Sequence, residues 1–120
     1  MHPAISLGID LGTSELKTVL MDRHGSVRGQ ASVRIDVSRP QPGWSEQSPH
    51  DWWAACVQAL AQLRAGWPQE YEQIACIGLS GQMHGAVLLD GNDKVIRPAI
   101  LWNDARADAE AASLARDYPA

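Results

Sequence analysis

Ile5-Ser6-Leu7-Gly8-Ile9-Asp10-Leu11-Gly12-Thr13-Ser14 decides the reading of this chain, because it runs an alternating strand straight into a turn suited to anions. Ile5, Leu7 and Ile9 alternate with Ser6 and Gly8, the period of a β-strand. Leu16 to Met21 is strand-like again, so Gly12, Thr13 and Ser14 form the tight connection between two antiparallel strands. Glycine at position 12 accepts backbone angles that a side chain forbids, which lets the turn's amides and the Thr13 and Ser14 hydroxyls approach an anionic oxygen. Asp10 ends the first strand, where a magnesium ion bound to phosphates needs a carboxylate. Magnesium keeps most of its waters, so one Asp suffices on the protein side. The same residues also suit an ordinary hairpin turn, and the segment alone leaves both readings open. The chain contains no G-x-G-x-x-G and no Gly-Lys-Ser/Thr, which disfavours the two common phosphate-loop folds.

Outward from this segment, Val27 to Val37 alternates Val27, Gly29, Ala31, Val33, Ile35 and Val37 with polar residues, predicting a third, half-exposed strand after a turn at 22–25. Pro40, Pro42 and Gly43 predict a loop over 38–48 that carries Trp44. Ser48-Pro49-His50-Asp51 is a helix start, with Ser48 to cap, Pro49 at the first helical position and Asp51 against the dipole. Trp52, Ala55, Cys56, Ala59, Leu60 and Leu63 recur at helical spacing, and Gly66 and Pro68 stop the helix. Ile74 to Leu79 is apolar or small throughout, as in a central strand covered on both faces. Ala86 to Leu89 and Val95 to Arg97 predict a short pair of strands around a turn at 90–94, followed by the apolar run Ala99 to Trp102. Residues 104–116 predict a last helix capped by Asn103 or Asp104. The order predicts an α/β layer with a mixed sheet and flanking helices.

At 120 residues one domain is expected, burying roughly two-thirds of its unfolded surface. A net charge of −4 without a basic cluster argues against nucleic-acid binding. No apolar stretch approaches the roughly 20 residues of a membrane span, and the N-terminus lacks a signal-peptide layout, so a cytoplasmic location is expected. Cys56 and Cys76 sit in apolar patterns and read as buried reduced thiols.

Two further clusters carry polar chemistry. Ser80-Gly81-Gln82-Met83-His84-Gly85 follows the apolar strand, at the strand ends where open α/β sheets bind ligands. Gln82 and His84 both donate and accept hydrogen bonds, as recognition of a polyhydroxylated substrate requires, and Met83 offers an apolar contact. A turn histidine beside a core methionine is the competing account. Trp102-Asn103-Asp104-Ala105-Arg106 offers an aromatic face for the C–H side of a sugar, an amide and a carboxylate. Equally, Asn103 and Asp104 suit a helix cap, with Arg106 solvated.

Taken with Pro42-Gly43-Trp44-Ser45-Glu46-Gln47, Trp52-Trp53 and Arg97-Pro98-Ala99-Ile100-Leu101-Trp102-Asn103-Asp104, these segments resemble the FGGY carbohydrate kinases from about Ile5 to Arg106. The opening motif is shared by the wider actin-like ATPase superfamily; Gln82 to Gly85 resembles the loop of the members that recognise xylulose. The resemblance implies a ribonuclease H-like, actin-like fold and ATP- and Mg2+-dependent phosphorylation of D-xylulose at carbon 5. It implies Asp10 as the catalytic carboxylate near the metal, Gly12, Thr13 and Ser14 at the nucleotide phosphates, and Met83 and His84 on the sugar. Gln82, Trp102, Asn103 and Asp104 are further wall residues on the same basis. It also implies that residues 1–120 are a truncated N-terminal part of the first kinase domain, the catalytic base lying in an absent C-terminal half. An isolated 120-residue chain is therefore expected to be inactive and, with its apolar surface uncovered, to form a homo-oligomer. The alternatives are a kinase for another ketose or polyol, or a non-catalytic sugar- or partner-binding module.

Overall fold

The computed structural model describes residues 4–119. They divide into two compact units, one from 4–36 and 49–83, the other from 37–48 and 84–119.

The first unit is built on three antiparallel strands, β1 (Ile5–Leu11), β2 (Glu15–Asp22) and β3 (Val27–Arg34). Alternation decides which side chains face inward: Ile5, Leu7, Leu16 and Leu20 are buried on one face. Asp22 makes the second turn, its Oδ1 accepting from the His24 and Ser26 amides at 2.9 and 3.0 Å. The second unit begins with a strand absent from the sequence reading, β4 (Glu46–Gln47), inside the expected loop.

Helix α1 (Pro49–Gly66) covers the apolar face of the sheet, as its spacing predicts, with Ala55, Ala59 and Leu63 buried. The two alanines allow close approach to β2 and β3, and the buried residues divide into two clusters around Leu63 and Ala59. Pro68 does not end helical structure but opens a short helix, α2 (Pro68–Glu72), whose Tyr71 packs with Trp67 against the first cluster. Trp67 also lies where a side chain at Gly29 would sit, its ring 2.5 Å from that position.

The chain returns as β5 (Ile74–Gly81), parallel to β1, giving the order β3-β2-β1-β5 and the expected mixed sheet. The expected central, doubly covered strand is a correction: among the described residues β5 is at the sheet edge, with Ile77 61% and Leu79 78% exposed. Apolar composition reports a preference for cover, and α1 lies over β2 and β3 rather than β5. Cys76 is exposed, against expectation, because it stands on the opposite, polar face, its thiol donating to the Ser6 hydroxyl at 3.2 Å, and Cys56 is half-buried; both are free thiols.

In the second unit β6 (Ala99–Ile100) pairs antiparallel with β4. The expected strands at 86–89 and 95–97 reduce to single bridges, Ala86 with Ile100 and Leu89 with Val95. Between the latter the turn is real, Asp90 Oδ1 accepting from the Asn92 and Lys94 amides. The last helix, α3 (Asp108–Asp117), starts later than expected and has Ala107 at its N-cap. Asn103 and Asp104 do not cap it. Among the described residues no helix is long and apolar enough to cross a membrane.

Candidate functional site

At the carboxyl end of β1 the chain turns through Gly12, Thr13 and Ser14 into β2. Gly12 donates its amide to the Glu15 carbonyl at 3.0 Å, and a side chain at position 12 would come within 2.8 Å of that oxygen. The need for glycine is thus close approach of backbone, not left-handed angles; the positive-φ glycines are Gly25 and Gly43. Ser14 returns its carbonyl to the Ile35 amide at 2.9 Å, which ties the turn to the end of β3.

Asp10 is exposed at the same end of the sheet. Its register partner on β5 is Ser80, and the Ser80 hydroxyl donates to Asp10 Oδ1 at 2.6 Å. On β2 its partner is Lys17, which pairs with Glu15 at 2.9 Å. Hydrogen bonding to Lys17 lowers the Glu15 carboxyl below its ordinary range, and the same bond raises Lys17. Asp10, Lys17, Ser32 and Ser80 lie along one cleft of about 780 Å3 on the polar face of the sheet. Beyond β5, the Gln82 amide donates to the Leu11 carbonyl at 2.7 Å, and the Thr13 hydroxyl donates to Gln82 Oε1 at 3.1 Å. Asp10, the Gly12 turn and Gln82 are therefore brought together. Ser80 heads the polar segment 80–85, and sequence reasoning misses its contact with Asp10. The signal for it was the matched ending of two strands, Asp10 two residues before Gly12 and Ser80 two before Gln82.

Met83 closes the first unit, 66% exposed. His84 begins the second stretch of the other unit, exposed and with φ of 60°, a left-handed conformation that costs a side-chain-bearing residue about 1–2 kcal/mol.

The second unit holds the other expected site residues. Trp102 and Asn103 are exposed, while the Asp104 side chain is 1% exposed and engaged within the protein. Arg106 grips Asp104 through two parallel bonds, Nε to Oδ1 at 2.8 Å and an Nη to Oδ2 at 2.7 Å, and the Ser45 amide donates to Oδ2 at 2.6 Å. Arg106 also pairs with Glu46 at 2.8 Å and stacks 3.7 Å from the centre of the Trp44 ring. Arg97 adds a second cation to Glu46 at 3.1 Å. The Arg106 hydrogen bonds hold the Asp104 carboxyl far below the usual carboxylate range, and Asp104 in turn raises Arg106. Arg106 is thus not the solvated residue of the competing account. The cluster joins Gly43 to Gln47 with Ala99 to Arg106, two stretches about 55 residues apart that composition alone does not link.

Among the described residues no group of three or more His, Cys, Asp or Glu side chains is placed to hold a metal ion.

Residues 5–119 match the N-terminal domain of the FGGY family of carbohydrate kinases. The chain is 44% identical over 113 residues to the xylulose kinase of Escherichia coli, an alignment covering 94% of this chain and 23% of that protein. It is 41% identical over 101 residues to the L-xylulose/3-keto-L-gulonate kinase of the same species, covering 84% of this chain and 20% of that one. A crystal structure of a xyloylose kinase from Brucella ovis superposes with a TM-score of 0.92 at 55% identity, covering 94% of this chain and 24% of that chain. The chain spans about a quarter of the length of these proteins. With the mixed sheet, the glycine turn behind Asp10 and a family match over nearly every residue, this chain belongs to the FGGY carbohydrate kinases.

Proposed function

We propose that this chain is the N-terminal part of the first kinase domain of an enzyme that transfers the γ-phosphoryl group of ATP to the carbon-5 hydroxyl of D-xylulose. The observation that carries the reading is the junction of two parallel strand ends. The turn with a bare backbone at Gly12 and the exposed Asp10 carboxylate stand beside the strand that runs into Gln82-Met83-His84. The identity of the relatives named xylulose kinase supports the choice of ketose.

The residues fit the nucleotide and metal that such a transfer uses. The Gly12 position admits no Cβ beside the Glu15 carbonyl, Thr13 and Ser14 follow it, and Asp10 is one carboxylate at the mouth of the turn. Magnesium, when bound with ATP, neutralises charge on the transferring phosphoryl group. Asp10 would hold the metal side, and the Gly12, Thr13 and Ser14 turn the phosphates. Gln82 and Met83 in the first unit are proposed sugar contacts, and so, in the second unit, are His84, Trp102, Asn103 and Asp104, each on the family resemblance. The sugar oxygen forms a bond to phosphorus as the bridging bond to the leaving ADP breaks, and the hydroxyl proton passes to a base outside this segment.

A sister specificity is the second reading, favoured by the identity to the L-xylulose/3-keto-L-gulonate kinase. The test is a coupled ADP-release assay on the full-length parent with D-xylulose, L-xylulose, D-ribulose, L-ribulose and glycerol. The highest kcat/KM is expected with D-xylulose. A preference for another sugar would move the assignment to the sister activity, and no turnover with any of them would favour a non-catalytic module. The 120-residue chain alone is expected to show none.

A further inference from the structure

We propose that Ser80 and Gln82 are positioning residues that clamp the phosphate-side turn from the strand carrying the sugar-side loop. The inference rests on the kinase reading for its functional meaning, but its geometry stands in one unit of the protein. Asp10 and Ser80 are partners in the parallel register of β1 and β5, so their side chains project from the same face. The 2.6 Å bond from the Ser80 hydroxyl to Asp10 Oδ1 has a charged acceptor, the shorter and stronger class of hydrogen bond. Asp10 is exposed, and a free carboxylate there would sample several rotamers. Ser80 selects one.

Two residues on, the clamp closes a second time. The Gln82 amide extends the ladder past the strand by donating to the Leu11 carbonyl, and this fixes Gln82 opposite the turn. Its Oε1 then accepts from the Thr13 hydroxyl. Gln82 is thereby directed at the phosphate turn, and its side chain sets the Thr13 rotamer. Met83 follows directly in sequence, so residues 80–82 tie Asp10 and Thr13 to the strand end that leads into the loop proposed for the sugar. Side chains that orient a carboxylate at a metal site carry about 10-fold to 100-fold effects on activity when removed.

The experiment uses the full-length parent. Ser80→Ala is expected to lower kcat about tenfold while leaving KM for D-xylulose within about twofold, and Ser80→Thr, which restores the hydroxyl, to recover most of the loss. A hydrogen-exchange measurement on the ligand-free protein reads the second contact without activity: Gln82→Ala and Thr13→Val are each expected to speed exchange at the amides of 12–15 several-fold. Ser80→Cys, which keeps the size but weakens the donor, replaces Ser80→Ala if the latter fails to fold. A kcat for Ser80→Ala within twofold of the parent, or unchanged exchange at 12–15 in Gln82→Ala, would overturn the proposal. A parent that phosphorylates no ketose would sink the kinase reading instead, and the exchange result would still decide the clamp.

Discussion

Asp104 is a buried carboxylate whose partners are both local and distant, Arg106 two residues on and the Ser45 amide across the strand pair. Arg106 lowers its folded-state proton affinity below that of an unfolded aspartate, so the ionised form contributes stability. The contribution is complete above the unfolded value of about 3.9 and is lost as the pH falls below it toward the folded value. Asp104→Asn, which keeps the shape and removes the charge, is therefore expected to melt well below the parent at pH 7. The gap should narrow as the pH is lowered from 4 to 2, read by thermal denaturation across that range. A gap independent of pH would show that the carboxylate's charge contributes nothing. The sequence showed Asp104 as an acidic residue ahead of a helix, where capping and sugar contact both fit. It held no local sign that Arg106 would turn back onto it with Glu46 and Trp44, since those partners are set by tertiary pairing.

Helix α1 shows the opposite case, an element whose whole course is local. Proline at its start, Asp51 in the first turn, Arg64 in the last and apolar residues on one stripe all agree, and the helix forms where they indicate. Leu63, fully buried between α1 and the sheet, anchors one end of that stripe. Leu63→Ala is expected to cost about 2–5 kcal/mol, read as a fall in the urea midpoint at constant slope. The opening meander was equally legible, because alternation and turn residues specify hairpins over a few positions. Strands β4 and β6 were not. Each is two residues long, and Glu46 and Gln47 carry no alternation; their pairing comes from the ionic cluster that joins the two stretches. The same limit explains the apolar segment at 86–89, which has strand composition but only single bridges to neighbours. Strand β5 was found with the right type and the wrong place, because composition identifies a strand that prefers cover but not where the helix lies.

At the scale of the molecule, that strand leaves a line of backbone and two large apolar side chains, Ile77 and Leu79, exposed on the edge of the first unit. In the second, Trp102, Leu114 and Tyr118 are exposed as well. An isolated 120-residue chain is expected to self-associate through the β5 edge, giving at least a dimer by light scattering. Ile77→Lys with Leu79→Lys should return it to a monomer, and a monodisperse parent at high concentration would contradict the expectation. The parallel pairing behind this edge also orders the events of folding. The meander of 5–34 closes over short turns, whereas the contacts of Asp10 with Ser80 and of Thr13 with Gln82 span 70 and 69 residues. Contacts of such separation require the intervening chain to be arranged first and form slowly. During synthesis the Gly12 turn thus emerges early, and Asp10 and Thr13 meet their partners Ser80 and Gln82 only after residues 80–82 have left the ribosome.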